Sequence, residues 1–146
     1  MVEGDEKLFK LTLTIFLSLA IKLAHFESTI SVNVKKLKGE DLFQEERKHL
    51  KWRSLDIKHL FPVSGSSLVV TISNLNHGFK DNNIKLFTNH FGSPKHIKFM
   101  KEQDFSLSLL AARNIVKAMG GQIGFSSESG KGIQFGFSLP IAKTSN

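Results

Sequence analysis

The N-terminal segment has a helical pattern of apolar positions, interrupted by one narrow polar stripe. Polar residues recur three or four apart along one line of the predicted helix: Lys7, Lys10, Thr14, Ser18 and Lys22. Apolar residues fill almost all the other positions between 8 and 23, and Thr12 is the exception. Asp5 and Glu6 suit a helix N-terminus, where carboxylates accept from free backbone N–H groups. The pattern predicts a mostly buried helix with a sheet behind it.

Two later segments have the patterns of strands. Positions 28–36 alternate, with Ile30, Val32 and Val34 on one face and polar residues on the other. Positions 67–73 form an apolar strand that ends at the polar turn 74–78. Between these strands lies a charged, weakly patterned insert at 37–66, in which 40–52 is a candidate short helix. Further helices are predicted at 82–91 and 105–119, separated by a basic loop.

Glycines shape the C-terminal part of the chain. Gly120-Gly121 follows the last predicted helix, and Gly130 and Gly132 stand between two short apolar strands. Glycine reaches positive φ without a Cβ clash, so these positions predict a helix stop and then a hairpin. The resulting order predicts an α+β fold, a two-layer sandwich with the helices on one face of a mixed sheet. We expect a single domain over 1–146.

Composition excludes several classes of function. The chain of 146 residues has no cysteine, which excludes disulfides and thiolate metal sites. The net charge of +7 could favour an acidic partner, but lysine and arginine are scattered, so no nucleic-acid partner is predicted. The apolar run at 11–21 is shorter than the ~20 residues that span a bilayer. No membrane contact by this chain itself is expected.

Several short motifs, in this order, resemble the signature boxes of one family. The resemblance is to the C-terminal ATP-binding (catalytic) domain of sensor histidine kinases, of the GHKL or Bergerat-fold ATPase family. The motifs are Gly4-Asp5 opening a helix that ends in Ala20-Ile21-Lys22, Leu86-Phe87 with Phe91, Met119-Gly120-Gly121-Gln122-Ile123, Gly130-Lys131-Gly132, Phe135 and Leu139-Pro140. The two Phe of the phenylalanine box stand one residue further apart than in the family. The insert at 37–66 resembles those of plant or fungal hybrid kinases and ethylene-receptor-like proteins.

The resemblance implies a role in two-component or phosphorelay signalling. In this family ATP lies between the helices and the sheet under a mobile lid, and its γ-phosphate passes to a histidine on a neighbouring helix pair. The expected partners are dimerisation or histidine-phosphotransfer helices, or a receiver domain, with a homodimer formed through segments outside this chain. The expected location is intracellular, as a cytoplasmic domain that could belong to a membrane-bound receptor.

The family's metal ligands have no counterpart in this chain. Two asparagines one helical turn apart hold Mg²⁺ in the family, and hard Mg²⁺ needs oxygen ligands. The positions that match them here are Ile15 and Leu19, neither of which can bind a metal. Lys22 stands where the family often has a phosphate-contacting lysine, although a solvated cation at a helix C-terminus explains it equally well.

The adenine-binding box is also altered. The family motif Asp-x-Gly-x-Gly matches positions 74–78, where Asn74 replaces the aspartate and Gly78 is the one glycine left. Asn74 could still accept a hydrogen bond, more weakly than a carboxylate. An Asn-rich turn after a strand explains these residues as well. Ile133 stands where the family commonly has a threonine near adenine.

The lid at 92–104 and the start of the next helix lack the family's glycines. The three glycine positions of the lid box fall on Asp104, Ser106 and Ser108. Asp104 would place negative charge near a phosphate, and as a helix cap it needs no ligand. The loop lysines, Lys95, Lys98 and Lys101, could attract phosphate or lie in solvent.

Residues that build the family's fold are thus present, whereas those that contact Mg²⁺, adenine and phosphate are mostly replaced. We therefore expect no bound cofactor, no catalytic residue and no metal site. The sequence predicts a degenerate, pseudokinase-type domain that acts as a folded signalling or interaction module. The alternative is a divergent but active kinase domain that binds ATP through Lys22, Asn74, Gly78, Lys95 and Lys98.

Overall fold

A computed structural model of the chain describes residues 4–24, 27–38, 53–54, 65–74, 103–128 and 132–142. These residues form two helices and five strands. In chain order they are α1 (Glu6–Lys22), β1 (Ile30–Lys38), β2 (Arg53–Ser54), β3 (Ser66–Asn74), α2 (Gln103–Ala118), β4 (Gln122–Glu128) and β5 (Gly132–Ile141). The strands predicted at 28–36 and 67–73 are confirmed with shifted bounds. The short strand β2 was not predicted.

The strands form one sheet in the order β1-β3-β5-β4-β2. Helices α1 and α2 pack on it, with α1 over β3 and β5 and α2 over β4 and β5. The predicted α+β sandwich is therefore confirmed.

One detail differs from the predicted mixed sheet, because all four strand pairs in the described part of the chain are antiparallel. β3 and β4 do point the same way, since both are antiparallel to β5. β5 lies between them and prevents a parallel pair.

Helix α1 begins at the predicted cap. The Asp5 carboxylate accepts hydrogen bonds from the backbone N–H groups of Lys7 (2.7 Å) and Leu8 (3.1 Å). These two bonds satisfy donors that the first turn of a helix leaves without a partner. The polar stripe of the helix is exposed as predicted.

Two apolar residues of α1, Leu11 and Ile21, are 47% and 62% exposed, so less of the helix is buried than its pattern predicts. They border the polar stripe, and the sheet meets the opposite side of the helix. Thr12 lies on that buried side and is fully buried. Its hydroxyl donates to the Leu8 carbonyl oxygen (2.9 Å), which makes burial of this polar group tolerable.

Phenylalanine rings join α1 to the middle of the sheet. Phe16 stacks on Phe137 with ring centroids 5.8 Å apart and an interplanar angle of 12°, and it also contacts Phe135 at 5.8 Å. Phe9 meets Phe137 edge to face. Phe16, Phe135 and Phe137 are at most 1% exposed. They form the centre of the core, together with Ala112 and Val116 of α2.

The end of α2 has the hydrogen bonds of a Schellman motif. Gly120 N–H donates to the Lys117 carbonyl oxygen (2.9 Å) and Gly121 N–H donates to that of Val116 (2.8 Å). Gly120 has a φ of 71°, as predicted for a glycine stop. Gly121 is needed for another reason, since a Cβ there would collide with the backbone oxygen of Ser138 in β5.

Several predictions fall outside the described residues. These are the candidate helix at 40–52, the helix at 82–91 with its phenylalanine box, the lid at 92–104 apart from its last two residues, and most of the insert at 37–66. The last two lid residues, Gln103 and Asp104, belong to α2 instead. The single-domain assignment over 1–146 stays a prediction. Neither of the two described helices is both long and apolar enough to cross a membrane.

Candidate functional site

One face of α1 carries three of the predicted site positions. Ile15, Leu19 and Lys22 follow one another at intervals of three and four residues, so they lie along one side of the helix. Leu19 is 2% exposed and belongs to the hydrophobic core. Ile15 is half-buried and packs against that core, whereas Lys22 is exposed in the last turn.

The burial of Leu19 decides what this face of α1 can bind. Mg²⁺ needs oxygen ligands around it, and a charge in apolar surroundings without compensating partners is costly. At these two positions the helix presents hydrocarbon, and at Leu19 that hydrocarbon is packed in the core. The residues present at 15 and 19 therefore do not fit Mg²⁺.

The ends of β3 and β5 bring two further predicted positions together. Asn74 is the last residue of β3 and pairs with Ile133 of β5 on one side and with Ile30 of β1 on the other. Side chains alternate along a strand, so Asn74 shares the helix-facing side of the sheet with Ile72 and Val70. Asn74 is 2% exposed and Ile133 is 4% exposed. In the sheet register the buried Asn74 thus stands between two isoleucines.

The start of α2 holds the three positions that correspond to lid glycines. Asp104 and Ser106 lie in the first turns of α2, and Ser108 is half-buried one turn further on. The side chains of Asp104 and Ser106 lie outside the described part of the chain, as do Gly78, Lys95 and Lys98 altogether. Their predicted roles toward a nucleotide stay predictions.

No metal centre is present among the described residues, where no three His, Asp or Glu side chains come together. What the described site offers is an apolar helix face, one buried amide and one exposed lysine. Such a set can pack against an uncharged group and donate or accept a few hydrogen bonds. At positions 15 and 19 it offers no oxygen ligand of the kind that Mg²⁺ needs.

Comparison with protein-family models gives one match that covers almost the whole chain. Residues 4–143 match the family described as histidine kinase-, DNA gyrase B- and HSP90-like ATPase. The chain belongs to this family. The α+β sandwich described above is its Bergerat fold, and the chain corresponds to a histidine-kinase-type ATP-binding domain. A comparison with curated proteins gave no match.

The matched range includes the replaced positions 15, 19 and 74. The predicted resemblance is confirmed, including the helix that begins at Asp5 and the glycine stop at Gly120-Gly121. The match concerns the fold and the general class of site. Within it, Leu19 belongs to the core and Ile15 packs against the core.

Two features of this region were missed by sequence reasoning. Ile30 stands beside Asn74 in the sheet register, and the alternation of β1 was a signal that its side chain faces the helices. The second is the close approach of Gly121 to Ser138, which aligns α2 with β5. No local sequence signal shows that contact, because its partner lies 17 residues further along the chain.

Proposed function

We propose that this chain is a pseudokinase-type domain in two-component or phosphorelay signalling, which works as a folded interaction module and does not transfer phosphate. The family assignment supplies the general class, a histidine-kinase-type ATP-binding domain. The observation that carries the finer proposal is the burial of Leu19 at 2% exposure in the core. A magnesium-ligand position that serves as core packing leaves the triphosphate without its counter-ion.

The proposal includes the kind of partner. In a signalling protein this domain would contact dimerisation or histidine-phosphotransfer helices, or a receiver domain, through its surface. ATP and Mg²⁺ would not be required for that contact. The position of Ile15 supports this, since packing against the core gives it a structural role that needs no ligand.

Titration calorimetry with ATP, with and without Mg²⁺, tests the proposal. We expect no Mg²⁺-dependent heat and no Mg²⁺-dependent rise in the melting temperature. The double variant Ile15→Asn/Leu19→Asn restores amide oxygens at both positions, and Leu13→Asn is its matched control on the same helix, since Leu13 is half-buried like Ile15. Mg²⁺-dependent binding gained by the double variant alone would show that the pocket persists and lacks only its ligands.

The competing function is a divergent active kinase domain. Two described residues favour it, since Asn74 stands at the end of β3 and Lys22 is exposed at the end of α1. A phosphotransfer assay with ATP, Mg²⁺ and a supplied histidine-bearing helix pair separates the two functions. Phosphorylation of that helix pair by the wild-type chain, lost in Asn74→Leu, would overturn the pseudokinase proposal.

A further inference from the structure

The strand β1 forms one edge of the sheet and is exposed on both of its faces. It pairs with β3 alone in the described sheet, and seven of its nine residues are exposed. An edge strand presents a row of backbone N–H and C=O groups that no neighbouring strand uses. These groups can pair with an extended segment of another chain.

The helix-facing side of β1 begins with an uncovered apolar surface. Val32 and Val34 are 49% and 54% exposed, although their neighbours in the register, Ile72 and Val70 of β3, are 1% exposed. The two described helices lie over β3, β5 and β4, so this apolar row continues beyond the part of the sheet that they contact. An added strand would place its own apolar side chains beside these two valines.

The same side of β1 ends in positive charge. Lys36 and Lys38 follow Val32 and Val34 at the two-residue spacing that keeps side chains on one face, and both are exposed. Along this face of β1, two apolar side chains are therefore followed by two basic ones. An antiparallel partner of matching pattern would carry two acidic residues followed by two apolar ones, each separated by one residue.

Charge also argues against a second copy of this chain as the occupant. Each copy carries a net charge of +7, and a β1–β1 pair would bring two lysine-bearing strands together. An acidic segment gains from the attraction that a second copy lacks. The apolar and basic halves of the edge thus favour the same partner.

We propose that the edge strand β1 binds an extended acidic segment of another protein, which adds to the sheet as a sixth strand beside Val32, Val34, Lys36 and Lys38. Leu19 lies in the core and not on this edge, and Asn74 pairs with Ile30, two residues before Val32. The proposal goes beyond the proposed function, since it holds whether or not ATP binds.

Fluorescence anisotropy with a labelled synthetic peptide tests the proposal. The probe is Glu-Thr-Glu-Glu-Val-Thr-Ile, whose alternate residues match the face of β1 in antiparallel register, and its control is a scrambled peptide of the same composition. We expect saturable binding of the probe that is at least about tenfold tighter than that of the scrambled peptide. A third peptide, N-methylated at alternate backbone amides, should lose binding, because strand addition depends on those N–H groups.

Two variants of the chain locate the binding surface. Lys36→Glu reverses one charge on the edge, and we expect it to weaken binding about tenfold, since one attraction becomes a repulsion. Lys7→Glu makes the same charge change on the exposed side of α1 and should leave the affinity within about twofold. Val34→Asp should weaken binding through both apolar contact and charge. Thermal melting of each variant confirms that the sheet is intact.

Each possible result supports or overturns the proposal. Equal binding of the probe, the scrambled and the methylated peptide would reduce the effect to non-specific charge attraction and overturn it. Absence of binding would also overturn it, and would make the edge lysines a device against self-association. Sedimentation of the chain alone covers the remaining case, because a dimer disrupted by Val34→Asp would identify a second copy as the occupant. Repeating the titration with ATP and Mg²⁺ should leave the peptide affinity unchanged.

Discussion

The turn after α2 and the face of α1 that carries Ile15 and Leu19 differ in what their positions require. At the turn the requirement belongs to the backbone, because Gly120 adopts a φ of 71° and Gly121 leaves no room for a side chain against β5. On the face of α1 the family's requirement is chemical, and Ile15 and Leu19 meet a packing requirement instead. Hydrocarbon side chains at positions 15 and 19 are thus compatible with the fold, whereas a side chain at Gly121 has no room.

The largest loss of stability should come from the side of α1 that packs on the sheet. Phe16→Ala removes a fully buried ring that contacts Phe135 and Phe137, and we expect a loss of about 4 kcal/mol in the free energy of unfolding. Urea denaturation measures it. Leu11→Ala is the control on the same helix, where 47% exposure should keep the loss below about 1 kcal/mol. Similar losses in both would show that α1 does not dock through Phe16.

The next effect tests whether Leu19 is core or pocket. Leu19→Asn buries an amide among apolar side chains and should cost about 3 kcal/mol of unfolding free energy. Leu19→Met keeps the volume and should cost less than about 1.5 kcal/mol. Chemical denaturation of both variants without ligand gives the comparison. If Leu19→Asn caused no loss of stability, water would reach this position. Position 19 would then have no packing requirement, and the contrast with the turn would be wrong.

Alanine substitutions separate the contributions of the two glycines in the turn after α2. Gly121→Ala forces a Cβ against the Ser138 backbone oxygen and should destabilise the chain by roughly 2–3 kcal/mol. Gly120→Ala meets no close atom, its nearest neighbour being Pro140 Cγ at 3.5 Å, so we expect the cost of its positive φ alone, about 1 kcal/mol. Thermal unfolding of the pair ranks them. The reverse order would show that conformation, and not contact with β5, dominates at this turn.

The smallest effect concerns the start of α1. Asp5→Ala removes the acceptor of two backbone N–H groups and should cost about 1 kcal/mol, with Asp5→Asn recovering most of it. Amide hydrogen exchange at Lys7 and Leu8 reports the loss at the cap directly. Unchanged exchange at both amides would show that the carboxylate does not hold the first turn.

Much of the fold could be predicted because its signals are local. The cap at Asp5, the polar stripe of α1, the alternation of β1 and the stop at Gly120 each depend on neighbouring residues and backbone preference. The placement of β5 between β3 and β4 could not be predicted in the same way. It depends on contacts between residues far apart in the chain, which no local pattern records.

The candidate site was less predictable than the fold for a related reason. The family motifs predict that three site residues are replaced in this chain: Ile15, Leu19 and Asn74. The burial of each residue could not be predicted in this way, since Leu19 is buried while Ile21, two residues later, is 62% exposed. Burial is set by the sheet beneath the helix, and it is burial that separates a lost ligand from a core residue.

The central position of β5 has a consequence for the order in which the molecule can assemble during synthesis. β5 follows the other four described strands in the chain, yet it joins β3 to β4 and carries Phe135 and Phe137. Until residue 141 has left the ribosome, β1 and β3 have no link to β4 through the sheet, and Phe16 lacks both of its ring partners. The emerging chain must therefore remain without the aromatic centre of its core until translation has passed β5, and a chain arrested at residue 131 should be degraded by proteases that the full chain resists.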